Sequence, residues 1–246
     1  MNTKITSSKN EKRKIILIIK KKLKTKKNIT DIYNLNLIQN NFMKCVQGFH
    51  LINSSCIKET IWENINIEIF QSLGIEIFYT SKGSHLSGMD INSSFGSISN
   101  KTSKYSNNKF NISSYRLTTI CNNLSFGINN RKNFDYYSII IRTEHKNQNI
   151  ISYDWLFIPS NHSIFNPNTY SWIPTIGKNG INKDKQIGWK TNIINGCKMS
   201  IQFSMSSQLW IHITMNENIK KFIIASTTVK NKQICNYMDI FDKFSV

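Results

Sequence analysis

The residues best suited to chemistry lie between His85 and Lys104, in the stretch HLSGMDINSSFGSISNKTSK. Asp90 sits in a short apolar run with Met89 and Ile91. A turn-rich segment, Asn92 to Gly96, follows, and then a second alternating run from Ser97 to Lys101. Two such runs around a short glycine-containing loop predict a β-hairpin. Side chains two apart in a strand share a face, so Ser99 and Lys101 point the same way. Pairing of the hairpin would set them beside Asp90. A carboxylate next to a lysine amine suits metal-assisted hydrolysis of a phosphodiester: Asp90 would hold Mg²⁺, and Lys101 would orient or deprotonate a water. A register one step out would replace Ser99 and Lys101 by Thr102 and Lys104.

This constellation of Gly88, Asp90, Ser99 and Lys101 resembles the PD-(D/E)xK nuclease superfamily, which includes most type II restriction endonucleases. Gly-Met-Asp-Ile stands here in place of the usual Pro-Asp, and about twenty residues carry the likeness. One departure bears on the chemistry. The second acidic position is Ser99, and a hydroxyl brings no negative charge to a metal, so another acid has to replace it. Many members of the superfamily take an acid from the helix before the catalytic hairpin, and Glu63 is the residue here that fits. The resemblance implies an α/β (α+β) fold, a mixed central β-sheet flanked by helices. It also implies double-stranded DNA as substrate, with 5′-phosphate and 3′-hydroxyl ends. A homodimer would match a symmetric cutting site.

The elements that must position these groups can be read around them. Thr60 fits an N-cap for a helix through about Leu73, closed by Gly74. Ile61, Ile65, Ile69 and Leu73 form its stripe, widened by Trp62 and Phe70, while Glu59, Glu63 and Glu68 lie off it. Ile75 to Thr80 reads as a strand. Helix, strand, hairpin is the order that the resembled core requires. Tyr136 to Thr143 and Ile150 to Ile158 predict two long strands joined as a hairpin in the centre of the sheet. Ser138, Ile140, Arg142 and Glu144 share one face of the first, which makes Glu144 a second candidate for the missing acid. Tyr105 to Asn111 and residues 160–185 read as loop. Two further strands are expected near Cys197 to Ser204 and Leu209 to Thr214, another near Phe222 to Val229, and a short helix at the C-terminus.

Charge points to polyanionic partners. The formal net charge is +18 over 246 residues, and nucleic acid comes first among such partners. The distribution is uneven. Residues 1–27 hold eleven Lys/Arg against one Glu, a net of +10, and read as a basic arm or helix preceding a single domain over 28–246. Lysine is inflated in a chain so rich in Asn and Ile, so the four arginines carry more information. Arg116 and Arg142 are expected to contact DNA, together with Lys104, Lys178 and Lys190. The five cysteines form no CxxC or zinc-type spacing and suit reduced thiols in a cytoplasmic protein. No apolar run is long enough to span a membrane. The five histidines lie too far apart in sequence to pair locally as zinc ligands, and no GxSxG elbow is present. The competing reading is a non-catalytic basic protein that binds nucleic acid or serves a structural role.

Overall fold

A computed structural model describes residues 29, 33–80, 88–117, 127–128, 132–205, 207–232 and 234–244. The basic segment 1–27, the start of the stretch at His85, and Thr118 to Cys121 lie outside the described residues. The chain divides into two units, Met1–Ile32 and Tyr33–Val246; the account below concerns the second.

Two helices come first. Asn34 caps α1 (Leu35–Ile52) by accepting from the Asn36 N–H at 2.9 Å. Ile38, Phe42, Val46 and His50 recur every fourth residue and form its buried face. Helix α2 (Glu59–Ser72) starts two residues earlier than Thr60 would cap it: Lys58 holds the N-cap position, with no side-chain cap bond. Its buried face runs through Trp62, Ile65, Asn66, Ile69 and Phe70. Ile61 and Leu73 are only half-buried, because the bulk of the neighbouring sheet lies on the Trp62 side. Gly74 follows with φ +75°, where a residue with a Cβ would be strained.

The first sheet contains β1 (Ile77–Thr80), β2 (Ile91–Ser93), β3 (Ser97–Lys104), β5 (Tyr136–His145), β6 (Ile150–Pro159) and β11 (Ile223–Lys230), in the order β1-β2-β3-β5-β6-β11. It is mixed. β3 and β5 run parallel, and the other pairs are antiparallel. The parallel pair arises because β4 (Lys109–Arg116) leaves for a second sheet between them. That sheet has the order β4-β10-β9-β8-β7, with β7 (Trp172–Ile176), β8 (Gln186–Thr191), β9 (Cys197–Gln202) and β10 (Gln208–Thr214). All its pairs are antiparallel. A single turn, α3 (Glu217–Lys220), and α4 (Tyr237–Phe244) complete the order.

The result is three layers. The helices cover one face of the first sheet, where Phe42, Trp62 and Trp155 pack ring against ring at 5.2–6.0 Å. The second sheet covers the other face, where Tyr137, Ile139, Ile141, Leu156 and Ile158 meet Phe110, Ile112, Met199, Ile201, Leu209, Ile211 and Ile213. A strand buried on both sides reads as a continuous apolar run, which accounts for YYSIII in β5. The fold is thus α+β with a mixed central sheet, whose one face is covered by the two long helices α1 and α2 and whose other face is covered by the second sheet. Two segments expected to be loop contain strand. Lys109 to Asn111 begin β4 after a tight turn at Asn107 and Asn108, both with positive φ. Residues 172–176 form β7, an edge strand that tolerates the missing N–H of Pro174.

Candidate metal centre

Asp90 enters the site from the residue just before β2. Its N–H donates to the Ile98 carbonyl at 2.8 Å, and Ile91 pairs with Ile98, so the expected hairpin forms. Gly88, two residues earlier, has φ +67°, and a Cβ there would sit 3.1 Å from the Tyr115 Cβ. Asp90 Oδ2 accepts the Asn100 N–H at 2.6 Å and the Ser99 hydroxyl at 3.5 Å. Lys101 Nζ lies 3.7 Å from the same oxygen and also donates to Glu59 Oε1. Ser99 and Lys101 are only 1% and 6% exposed, so the amine is held in a low-dielectric setting rather than solvated. The alternative register is excluded: Lys104 is exposed and bonds Glu144 instead.

Helix α2 supplies the other acids. Glu59 and Glu63 are four residues apart, hence neighbours on one helical face. Glu59, Glu63 and Asp90 each bring a carboxylate oxygen within 4.8 Å of the others. Sequence reasoning selected Glu63 and Asp90 and passed over Glu59, whose signal was this spacing at the start of the helix. The electrostatics follow from crowding. Burial, then Asp90 and Glu59, push the Glu63 carboxyl up to about 7, with Lys101 opposing. Burial raises Asp90 as well, against Lys101 and the Asn100 N–H. One ammonium faces three carboxylates, an excess of two negative charges. Clustered carboxylate oxygens are the donor set of a hard divalent cation such as Mg²⁺, so the residues present fit one.

Glu144 does not join this trio. Its carboxylate accepts from Lys104 Nζ at 3.0 Å and Arg142 Nε at 3.1 Å. Those bonds hold its pKa below the usual value, and Cys56 Sγ lies 3.8 Å away. The parallel register that sets Lys104 beside Arg142 creates this cluster. Lys104 and Arg142, both expected to contact DNA, are therefore engaged by an acid of their own chain. The other three expected DNA contacts belong to the second sheet or its connections. Arg116 is exposed at the end of β4, with Nε 3.3 Å from Gln208 Oε1; Lys178 and Lys190 are exposed near and on β8.

A buried polar group locks β3 to α2. Asn66 and Asn100 are fully buried, and Asn66 Nδ2 donates to Asn100 Oδ1 and to Ser138 Oγ, the latter at 2.8 Å. Trp155 Nε1 donates to the same hydroxyl at 2.9 Å, and Trp62 Nε1 to the Ser138 carbonyl at 3.1 Å. Asn100 stands between Ser99 and Lys101, so this network fixes the strand that carries both. An asparagine inside an apolar helix face, as at Asn66, was the signal that sequence reasoning missed. Comparison with protein-family models, with curated proteins and with solved structures gives no match for this chain. No described helix is long and apolar enough to cross a membrane.

Proposed function

We propose that this chain is a Mg²⁺-dependent endonuclease of restriction type that hydrolyses phosphodiester bonds in double-stranded DNA. One observation carries the reading: the Glu59, Glu63 and Asp90 carboxylates converge around Lys101, whose amine bonds Glu59 and lies 3.7 Å from Asp90. The three acids would hold the ion. When bound, it would act as a Lewis acid on a phosphoryl oxygen and lower the pKa of a coordinated water. Asp90 is oriented by the Asn100 N–H and the Ser99 hydroxyl. Lys101, nearly buried, sets a positive charge where negative charge develops on the phosphate, and such preorganised charge acts strongly in a desolvated setting. The acid missing at Ser99 is supplied from α2. Cutting both strands of a symmetric site would call for a homodimer. A cytoplasmic setting suits the thiols of Cys45, Cys56 and Cys197, which are free among the described residues.

The test is direct. Purified protein is incubated with plasmid DNA in Mg²⁺ and in EDTA, beside Asp90→Ala and Lys101→Ala. Discrete fragments from the unmodified chain in Mg²⁺ alone, absent from both variants, are expected. Intact plasmid under all conditions, with DNA still bound, would leave the non-catalytic binding reading in its place.

A further inference from the structure

The outer face of the five-stranded sheet carries basic side chains on strands that hold no acid. Its strands alternate, with Phe110, Ile112, Met199, Ile201, Leu209, Ile211 and Ile213 turned inward. The register sets the outward residues in rows. Asn111, His212 and Lys198 are adjacent across β4, β10 and β9; Ser113, Trp210, Ser200, Lys190 and Ile173 form the next row across all five strands. Lys109 lies beside Thr214 at the rim. The five strands contain Lys109, Arg116, Lys190 and Lys198 but no Asp or Glu. Among the described residues no ion pair involves Lys109, Lys190 or Lys198.

The face is also shaped. A half-open cleft of about 780 Å³ is lined by Lys190, Lys198, His212, Gln186, Gln202 and Ser200. Its floor depends on Gly188, where a Cβ would stand 2.1 Å from the Ile201 carbonyl oxygen. His212 is fixed between Ser200 Oγ at 3.0 Å and Asn111 Oδ1 at 2.8 Å. Cations interspersed with amides and hydroxyls, with no acid among them, complement a phosphate backbone. Trp189 and Phe203 also line the cleft, but both are half-buried, as is Trp210, whose indole nitrogen is enclosed; among the described residues this face therefore carries no fully exposed ring of the kind that single strands stack upon.

We propose that this outer face binds the sugar-phosphate backbone of double-stranded DNA, in a second contact separated from α2 and the carboxylate trio by the first sheet. The surface acts whether or not the trio cuts. The test is therefore run in EDTA, where cleavage plays no part. Binding of a labelled duplex by the full chain is followed by fluorescence anisotropy over a range of salt. One variant carries Lys109→Ala, Lys190→Ala and Lys198→Ala. Another carries Lys44→Ala, Lys221→Ala and Lys230→Ala, removing equal charge from exposed positions elsewhere. The basic segment 1–27 is common to all three proteins. Each phosphate contact contributes about 0.9 to the slope of log affinity against log salt. The sheet variant should flatten that slope by about 2–3 and weaken binding at least about 10-fold at low salt, while the control stays within about 3-fold. Equal effects from the two variants, no effect from the sheet variant, or preference for a single strand of the same sequence would overturn the proposal.

Discussion

Replacing Glu63 by glutamine should stabilise the metal-free protein, and only at neutral to alkaline pH. The Glu63 carboxyl is raised from its ordinary 4.5 to about 7 by burial and by the charges of Asp90 and Glu59. The folded state therefore holds a proton that the unfolded chain releases between those values, and stability falls as pH rises through that window. At about 1.4 kcal/mol per pH unit the undiscounted penalty above pH 7 is about 3 kcal/mol. Glu63 is half-buried, and solvent screening brings this to about 1–2 kcal/mol. Glutamine keeps the shape and removes the charge. At pH 8 in EDTA the variant should melt about 2–8 °C above the unmodified chain, and at pH 4.5 the two should coincide. Mg²⁺ reverses the order. For a site of about 1 mM affinity, 10 mM Mg²⁺ stabilises by about 1.4 kcal/mol, and the variant should lose most of that gain. Thermal unfolding at pH 4.5 and pH 8, with Mg²⁺ and with EDTA, measures all four quantities. A variant less stable than the unmodified chain at pH 8 in EDTA would refute the reasoning, as would an unaltered response to Mg²⁺.

Four other substitutions test the remaining parts of the site. Lys101→Met should abolish cleavage and lower stability by about 3 kcal/mol at pH 8, as when one partner of a buried pair is removed; urea unfolding should show a smaller loss at pH 5. Asn66→Leu should cost about 2–4 kcal/mol in the same assay, because the Asn100 amide and Ser138 hydroxyl lose a buried partner. Glu144→Gln should leave the Mg²⁺-induced rise in melting temperature unchanged, because its carboxylate is held by Lys104 and Arg142. Ser99→Asp placed in the Glu63→Gln background should restore most of the lost response to Mg²⁺ in thermal unfolding, because the Ser99 hydroxyl already lies 3.5 Å from Asp90 Oδ2.

Local signals made half of the site legible. The run from Asn92 to Gly96, between two alternating stretches, specifies the hairpin, and the hairpin alone brings Asp90 to Lys101. Glu59 escaped because Thr60 is the better capping residue by type. A helix beginning after Thr60 excludes Glu59 from the face it shares with Glu63. The helix instead begins at Glu59 with no side-chain cap, where an acid in the first turn is favoured by the helix dipole. Glu144 was credible by strand periodicity. Its neutralisation by Lys104 depends on the parallel pairing of β3 with β5, a contact between strands about forty positions apart that no local pattern encodes. Most of the second sheet is a local meander, since β7, β8, β9 and β10 pair in chain order; only its β4 edge, paired with β10 from about a hundred positions away, was hidden for the same reason.

The serine at position 99 is explained by how charge is distributed between strand and helix. A carboxylate there would stand beside Asp90 with 1% of the residue exposed, and two desolvated acids in contact raise each other's pKa until one is neutral. With the hydroxyl in its place, Asp90 accepts a bond that supports its charge, and Asn100 N–H supports it further. The remaining negative charge comes from α2, where Glu59 is the more exposed partner of Lys101, at 41% of its side chain. It stands in the first turn of α2, where the helix dipole favours an acid. Three carboxylates and one ammonium leave two negative charges, which a single divalent cation would cancel. Burial first, and then the charges of Asp90 and Glu59, raise the Glu63 carboxyl to about 7, so a proton and a cation compete for the same trio.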